Sequence, residues 1–294
     1  MGTYNQLTQR YIVEHPIEKR LKAYDKCLEL NERGLKIIEI WKILKETGIE
    51  IKYETIGSWI RGERKPHTKL NIIQKFDENL PYIIGLLIGD GYFYKVMKKG
   101  SYNNGRVVLG VKDKDLAQKF ALSISHIFGN KRGYKANWSE SKRVYVVEVR
   151  SKELVELLLK EFNNLIKVIK ISEASFIRGL FDAEGCINIK HQKNRVYPRI
   201  FLTNSNLELI NYIKDYFEKI GIKSNIQINT KGGKEKTILG KKTKTIRDCY
   251  NLSIENFQGV KKFAEEINFT MDRKRDKLNM VISDVERYGN KIKE

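Results

Sequence analysis

The segment IIGLLIGDG, residues 83–91, returns 94 positions later as IRGLFDAEG, residues 177–185. Four of the nine positions are identical, Gly89 becomes another small residue, Ala183, and Asp90 becomes another acid, Glu184. The stretches that follow repeat as well, DLAQKFALSISHIFGNK at 115–131 answering to NLELINYIKDYFEKIGIKS at 206–224. A unit used twice, with no Pro/Gly/Ser-rich linker between the copies, constrains the chain to two similar halves.

Within each copy the periodicity predicts helix, two strands, helix, two strands, helix. In the first copy helices are expected at about 80–89, 114–128 and 152–161, with strands at about 91–97, 105–112, 132–138 and 143–150. In the second they are expected at about 173–183, 206–220 and 256–267, with strands at about 185–191, 196–203, 224–230 and 247–254. Alternation is clearest in RVYVVEVR and SNIQINT, where apolar side chains recur at every second position.

The residues before the repeat read as a separate helical module. One helix, about 17–31, carries Ile17, Leu21, Tyr24 and Leu28 on one face and stops at Gly34; the next, about 35–47, aligns Ile37, Ile40, Trp41 and Leu44. GIEIKYETIGSWIRGERKP then supplies a turn and a short helix with Ile56, Trp59 and Ile60 inside and Lys52, Tyr53, Thr55, Ser58, Arg61 and Arg64 outside, the outline of a helix-turn-helix reader. The expected division is therefore 1–75 for this module, 76–170 for the first repeat and 171–294 for the second with a C-terminal helix. That last helix, in MDRKRDKLNMVISDVERYG, turns Leu278, Val281, Ile282 and Val285 to the core and is read as packing with a basic edge, without chemistry of its own.

Charge narrows the class of partner. Lys and Arg number 56 against 36 Asp and Glu, a net charge of +20, which is expected of a chain that holds a polyanion. The strand pairs are joined by cationic turns, KVMKKGSYNNGR, NWSESKR, KHQKNR and KGGKEKTILGKKTKTIR, the last with seven Lys or Arg against one Glu. Two-stranded ribbons fit the DNA major groove, so Lys95, Arg106, Lys142, Arg143, Lys190, Lys193, Arg195, Arg199, Lys234, Lys241, Lys242 and Lys244 are expected at DNA, with Lys52, Thr55, Ser58 and Arg61 added by the helical module. The uncharged apolar run Tyr82 to Gly89 has eight residues, short of the ~20 that cross a bilayer. With no signal-peptide pattern at the N-terminus, the expectation is an intracellular protein, cytoplasmic or nucleoid-associated in a prokaryote, an organelle being the other possibility. The three cysteines are scattered and read as buried or half-buried, and the four histidines show no HxxxH spacing, so neither residue type suggests a zinc site.

The acids that end the two motifs carry the chemistry. Gly85 and Gly89 are one turn apart, as are Gly179 and Ala183, so each helix offers a small-residue face on which the other can lie. Packed as a pseudo-two-fold pair, the helices bring Asp90 and Glu184 together, with Gly91 and Gly185 expected as left-handed C-caps. A carboxylate in the last helical turn faces the negative end of the macrodipole, a cost of about 0.3–1 kcal/mol. Two such acids also repel each other, and a divalent cation is the natural compensation. Mg²⁺ takes one or two carboxylates and completes its shell with water and phosphate oxygens. GLLIGDGYF lacks the GxGxxG spacing and follows no strand, so it is not a dinucleotide loop.

On these residues the chain resembles the LAGLIDADG homing endonucleases in their monomeric two-motif form. The resemblance covers about residues 80–270 and rests on the packing glycine, the small residue and the final acid of each motif. It implies an α+β fold of two αββαββα repeats forming a saddle on DNA, preceded here by the small all-α module. It also implies Mg²⁺, with Mn²⁺ as a substitute, bound by Asp90 and Glu184 with the backbone carbonyls of Gly89 and Ala183 assisting. A lysine near each metal centre belongs to the pattern; Lys112 stands there in the first half, whereas Asn204 or Ser205 occupies the second. The implied activity is site-specific double-strand cleavage of a long DNA target by hydrolysis of phosphodiester bonds. A non-cleaving DNA-binding regulator and an RNA-splicing maturase share the fold and stay open as alternatives. The chain opens with Met1 and closes on KIKE without splice-junction residues, so a free-standing or intron-encoded protein is expected rather than an intein.

Overall fold

The computed structural model describes residues 16–48, 51–63, 72–98, 101–130, 133–192, 195–233, 235–238, 241–244 and 246–288. Of these, 16–20, 97–98, 101–104, 190–192, 195–196, 235–238 and 241–244 are described by their backbone alone. The chain divides into two compact units, residues 1–71 and 72–294.

The first unit holds three helices, α1 (Pro16–Glu32), α2 (Ile37–Glu46) and α3 (Tyr53–Ile60). Gly34 takes φ +85°, the left-handed stop that the end of α1 requires. The buried face of α1 is Ala23, Cys27 and Leu30, whereas Leu21, Tyr24 and Leu28 are only half-buried, a shift from the expected stripe. Small residues explain it: Ala23 and Cys27 leave room for another helix, and Trp59 of α3 meets Tyr24 edge-on at 5.5 Å. Ile40, Leu44, Ile56 and Trp59 complete this core.

The second unit contains both repeats. The first runs α4 (Asn79–Asp90), β1 (Gly91–Lys98), β2 (Ser101–Val111), α5 (Lys114–Ile127), β3 (Asn137–Ser139), β4 (Val144–Arg150) and α6 (Lys152–Leu158). After α7 (Phe162–Ile169), the second runs α8 (Glu173–Glu184), β5 (Cys186–Gln192), β6 (Arg195–Asn204), α9 (Leu207–Lys219), β7 (Asn225–Thr230), the hairpin β8 (Glu235–Ile238) and β9 (Lys241–Lys244), β10 (Cys249–Ile254) and α10 (Phe257–Glu266). The final helix is α11 (Asp272–Tyr288). The two sheets have corresponding antiparallel orders, β1-β2-β4-β3 and β5-β6-β10-β7. This is the αββαββα arrangement anticipated from the repeat.

Alternation fixes which face of each sheet is dry. In the first, Val107, Leu109, Val111, Val147 and Val149 are buried, as are Leu116, Phe120 and Ile124 on one face of α5; in the second, Ile187, Ile200, Leu202, Leu252 and Ile254 are buried, as are Ile210, Ile213 and Phe217 of α9. Each fully buried side chain of this size contributes roughly 1.5–3 kcal/mol. The register Tyr94↔Arg106↔Arg150 puts these three on the opposite, open face of the first sheet, and Asn188↔Arg199 does the same in the second.

Three local features depart from the periodicity. The strand expected at 132–138 shortens to Asn137–Ser139, because the amide of Tyr134 is already engaged by the Ser125 hydroxyl of α5 at 2.7 Å. The segment between the repeats forms α7, with Leu165, Val168 and Ile169 buried. The long basic turn after β7 folds back as the separate β8–β9 hairpin, and the last strand starts at Cys249 rather than 247.

Candidate metal and nucleic-acid site

Helices α4 and α8 form the seam of the second unit. A Cβ on Gly85 would fall onto the backbone carbonyl oxygen of Phe176, and one on Gly179 onto that of Tyr82. The reciprocity of these two contacts is the pseudo-two-fold relation, and only a glycine permits such backbone approach. One turn on, a Cβ at Gly89 would lie 2.5 Å from Ala183 Cβ and 3.2 Å from Glu184 Cγ, so the acidic ends of the two helices lie together.

The caps differ from expectation. Gly91 (φ −81°, ψ 150°) and Gly185 (φ −69°, ψ 146°) are extended, not left-handed, because each starts a strand directly from the helix. Glycine is needed there for space: a Cβ would come within 2.5 Å of the carbonyl oxygen of Leu87 in one case and of Phe181 in the other.

Asp90 is exposed and Glu184 half-buried. Partial burial raises the carboxyl of Asp90 above its ordinary range, and the nearby Lys274 charge opposes the rise. Burial also raises Glu184; a hydrogen bond from Asn204 opposes this, the Asp90 charge adds to it, and the Lys274 charge opposes it as it does at Asp90. Asn204 Nδ2 donates to Glu184 Oε2 at 2.8 Å, so the residue that replaces the expected second lysine is bonded to the acid itself. Lys112 is exposed just beyond β2, and it lines a cleft with Asp90, Cys186, Arg273, Lys274 and Lys277. Cys186 is exposed rather than buried, since it starts β5 on the sheet's open face.

Two site residues escaped the sequence reading. Lys274 of α11 is 9% exposed, and its Nζ donates to the carbonyl oxygens of Phe181 (2.9 Å), Asp182 (2.6 Å) and Ala183 (3.4 Å) at the end of α8. Burial lowers its pKa, with the Asp182 charge opposing. Its signal was present: Lys274 lies four residues before Leu278 and seven before Val281, on the apolar stripe of α11. The closing helix therefore reaches the site, contrary to the expectation of packing alone. Asp182, fully buried, accepts hydrogen bonds from Tyr82 Oη (3.0 Å) and from the amides of Thr270 (2.9 Å) and Met271 (3.2 Å). Its signal was its place three residues after the packing glycine Gly179, on the same face of α8.

Among the described residues no group of three or more His, Cys, Asp and Glu side chains is gathered. The side-chain donors that the two motifs bring to the seam are carboxylate oxygens, those of Asp90 and Glu184. Such a set fits a hard cation that fills most of its shell with water and ligand oxygens. Part of the Ala183 carbonyl is already taken by Lys274.

The expected DNA contacts fall into three groups. Lys95, Lys142, Arg143, Lys52 and Arg61 are exposed, and Thr55 and Ser58 half-buried. Arg143 sits in the β3–β4 turn at φ 52°, and Arg61 is paired with Glu63 at 2.7 Å. Arg106 is held by Glu148 (3.3 Å) and Tyr94 Oη (3.4 Å), and Arg199 by Glu255 (3.0 Å) over the Phe201 ring. Lys190, Arg195, Lys241, Lys242 and Lys244 are described by backbone only, while Lys193, Lys234 and Arg64 lie outside the described residues.

Two matched repeats, each a sheet with its open face turned from its helices and joined to the other through acid-ending helices, define a duplicated α+β saddle. Comparison with known proteins agrees: the LAGLIDADG-like domain matches residues 172–268. The uncharacterized protein MJ0398 of Methanocaldococcus jannaschii is 31% identical over 249 residues, covering 84% of this chain and 88% of that one. The chain belongs to the LAGLIDADG family. The homing endonuclease I-DmoI of Desulfurococcus mucosus is 26% identical over 154 residues, 50% of this chain and 73% of that protein. Its crystal structure with DNA and Mn superposes at a TM-score of 0.46 with 23% identity, over 66% of this chain and 97% of that one. No helix among the described residues is long and apolar enough to cross a membrane.

Proposed function

We propose that the protein is a divalent-metal-dependent, site-specific double-strand DNA endonuclease acting as a monomer, with Mg²⁺ as its metal and Mn²⁺ as a substitute. The observation that carries this reading is the meeting of the acidic ends of α4 and α8, which brings Asp90 and Glu184 together at the helix seam. Two acids at negative helix ends, one of them half-buried, destabilise the metal-free fold, an arrangement suited to binding a cation. The relationship to I-DmoI, a homing endonuclease by name, supports the same reading.

In this proposal a bound divalent cation would supply charge neutralisation at the scissile phosphates. Asp90 and Glu184 hold it through carboxylate oxygens, and the Gly89 and Ala183 carbonyls assist. Asn204 fixes Glu184 in one orientation by its 2.8 Å bond. Lys112, beside Asp90, offsets negative charge that develops on a phosphate in the cleft. The open faces of the two sheets present Arg106 and Arg199 at set positions, and the exposed Lys95, Lys142 and Arg143 add phosphate contacts. The N-terminal helices extend the DNA contact through Lys52, Thr55, Ser58 and Arg61.

A non-cleaving DNA-binding regulator is the second reading, favoured by the neutral Asn204 at Glu184, where a lysine belongs to the family pattern. Incubating the protein with a randomised duplex library and Mg²⁺, then sequencing the ends produced, separates the two. Staggered ends at a recurrent sequence, lost in Asp90→Asn and Glu184→Gln, are expected. Binding without cleavage by the wild type, equal to that of both variants, would favour the regulator.

A further inference from the structure

We infer that the part of the first sheet's open face nearest the helix seam reads thymine by its 5-methyl group, through Val108, Val144 and Val146 set around Gly110. Val108 and Val146 are thus specificity residues for one half of the target. The inference rests on the DNA-binding part of the proposed function. It arises from a chemical difference between two sheets that are otherwise matched strand for strand.

Alternation along the strands fixes what the open face carries. Val107, Leu109, Val111, Val147 and Val149 are buried. At the alternate positions Val108, Val144 and Val146 are half-buried and Gly110 is exposed. Tyr92, paired with Val108, is 65% exposed, and its ring lies 5.2 Å from that of Tyr94. Gly110 and Val144 also line the cleft that holds Asp90 and Lys112, so this apolar row begins beside an acid. Farther along β2 and β4 the face turns polar, with Glu148 and then Arg106 and Arg150. No packing demand makes residue 110 a glycine: a Cβ there would meet only Val144 Cγ2, at 3.6 Å, and its φ is not left-handed. A glycine weakens a strand, so its use here marks a place where another molecule approaches the backbone closely. The registers Tyr92↔Val108↔Glu148 and Cys186↔Phe201↔Ser253 align the two sheets and make Gly110, Val146 and Asn137 the counterparts of Thr203, Asn251 and Gln227. Both sheets carry an amide on the edge strand. Inside it, the second sheet has a hydroxyl and an amide, 3.3 Å apart, where the first has a hydrogen and an isopropyl group.

The chemistry of the base edges selects what such a row can read. In the major groove thymine alone presents a methyl, whereas the other three bases are told apart by hydrogen-bond donors and acceptors. A polar edge pressed against Val108 and Val146 loses its water and gains no partner. A thymine methyl buried there leaves water without breaking a hydrogen bond, which is favourable. The notch at Gly110 lets the methyl descend between the valines, whose short side chains otherwise keep the strand away from the base.

The test selects duplexes that bind the full chain from a randomised library in chelator, which keeps metal-dependent cutting out of the readout. Thymines are expected at fixed positions on one side of the recovered sequence. Replacing such a thymine by deoxyuridine, which lacks only the methyl, should weaken binding in fluorescence anisotropy by about 3–5-fold. At the same position 5-methylcytosine should bind more tightly than cytosine by a similar factor. Val146→Asn introduces the side chain that the second sheet has at this place, and in it the deoxyuridine penalty at one thymine should vanish. In Gln227→Ala, on the other sheet, every penalty should persist. Should Val146→Asn fail to fold, Val108→Ala and Val146→Ala must each reduce the penalty at a thymine. Recovered sequences without such thymines, deoxyuridine tolerated at all of them, or penalties unchanged in the valine variants would overturn the inference while leaving DNA binding intact. A library from which no sequence is enriched would overturn both.

Discussion

Asp182 of the second motif helix accepts a hydrogen bond from the Tyr82 hydroxyl of the first at 3.0 Å, so one buried carboxylate joins the two repeats. The same group receives the amides of Thr270 and Met271 and balances the charge of Lys274. Asp182→Ala removes all of these at once and leaves a buried ammonium without its main counter-charge. A loss of about 3–5 kcal/mol is expected, read as a fall in the urea midpoint. Asp182→Asn should lose less, since the side chain keeps an acceptor for the amides and the tyrosine.

Gly85→Ala and Gly179→Ala should each prevent normal assembly of the seam. The added methyl meets a main-chain carbonyl oxygen of the opposite helix, which cannot rotate away as a side chain would. The cost exceeds the ~1–3 kcal/mol typical of overpacking. Gly89→Ala meets the Ala183 Cβ, which the backbone fixes, and the Glu184 side chain, so the acidic ends of the two helices must part locally. Its fold should survive, with metal binding impaired because Glu184 is displaced; circular dichroism and Mn²⁺ titration on one sample would distinguish the two classes.

Neutralising either acid should stabilise the metal-free protein. Burial raises both carboxyls, so the folded chain holds these protons more tightly than the unfolded chain does. Stability therefore falls as pH rises from the ordinary carboxyl values through the raised ones, and the loss is complete above them. At neutral pH, Glu184→Gln should gain about 0.3–1 kcal/mol by removing a charge from the last helical turn. Asp90→Asn, at an exposed position, should gain less. Thermal melts in chelator should show the gain shrinking as pH falls below the raised values, and saturating Mg²⁺ should reverse the order by stabilising the wild type more than either variant. Melts with no gain at neutral pH would contradict the assignment of these acids.

The duplicated architecture was legible because both of its causes are local: alternation sets the strands, and small residues at one-turn spacing mark the faces where helices meet. Asp90 and Glu184 were legible for the same reason, each ending a motif. Lys274 and Asp182 were not, since what they do depends on α11 returning to the end of α8 across more than 80 residues of chain. The extended backbone of Gly91 and Gly185 was missed because DG and EG dipeptides suggest a left-handed cap, and only the strand that starts at once demands otherwise. In α1 the reading followed the large apolar residues, and close packing selected the small ones, Ala23 and Cys27.

Arg106 and Arg199 occupy corresponding open sheet faces, and each is held by an acid, Glu148 at 3.3 Å and Glu255 at 3.0 Å. If these faces meet DNA, each acid restrains an arginine in a set orientation and also repels phosphate. Glu148→Gln and Glu255→Gln should therefore tighten binding to duplex of unrelated sequence while reducing discrimination for the true target. Each neutralised acid removes one repulsion, and each arginine freed to contact a phosphate steepens the plot of log K against log salt by up to ~0.9. Arg106→Ala and Arg199→Ala should flatten that plot by a similar amount. Fluorescence anisotropy from low to moderate salt measures all four slopes, and arginine variants with the wild-type slope would remove these two residues from the DNA surface.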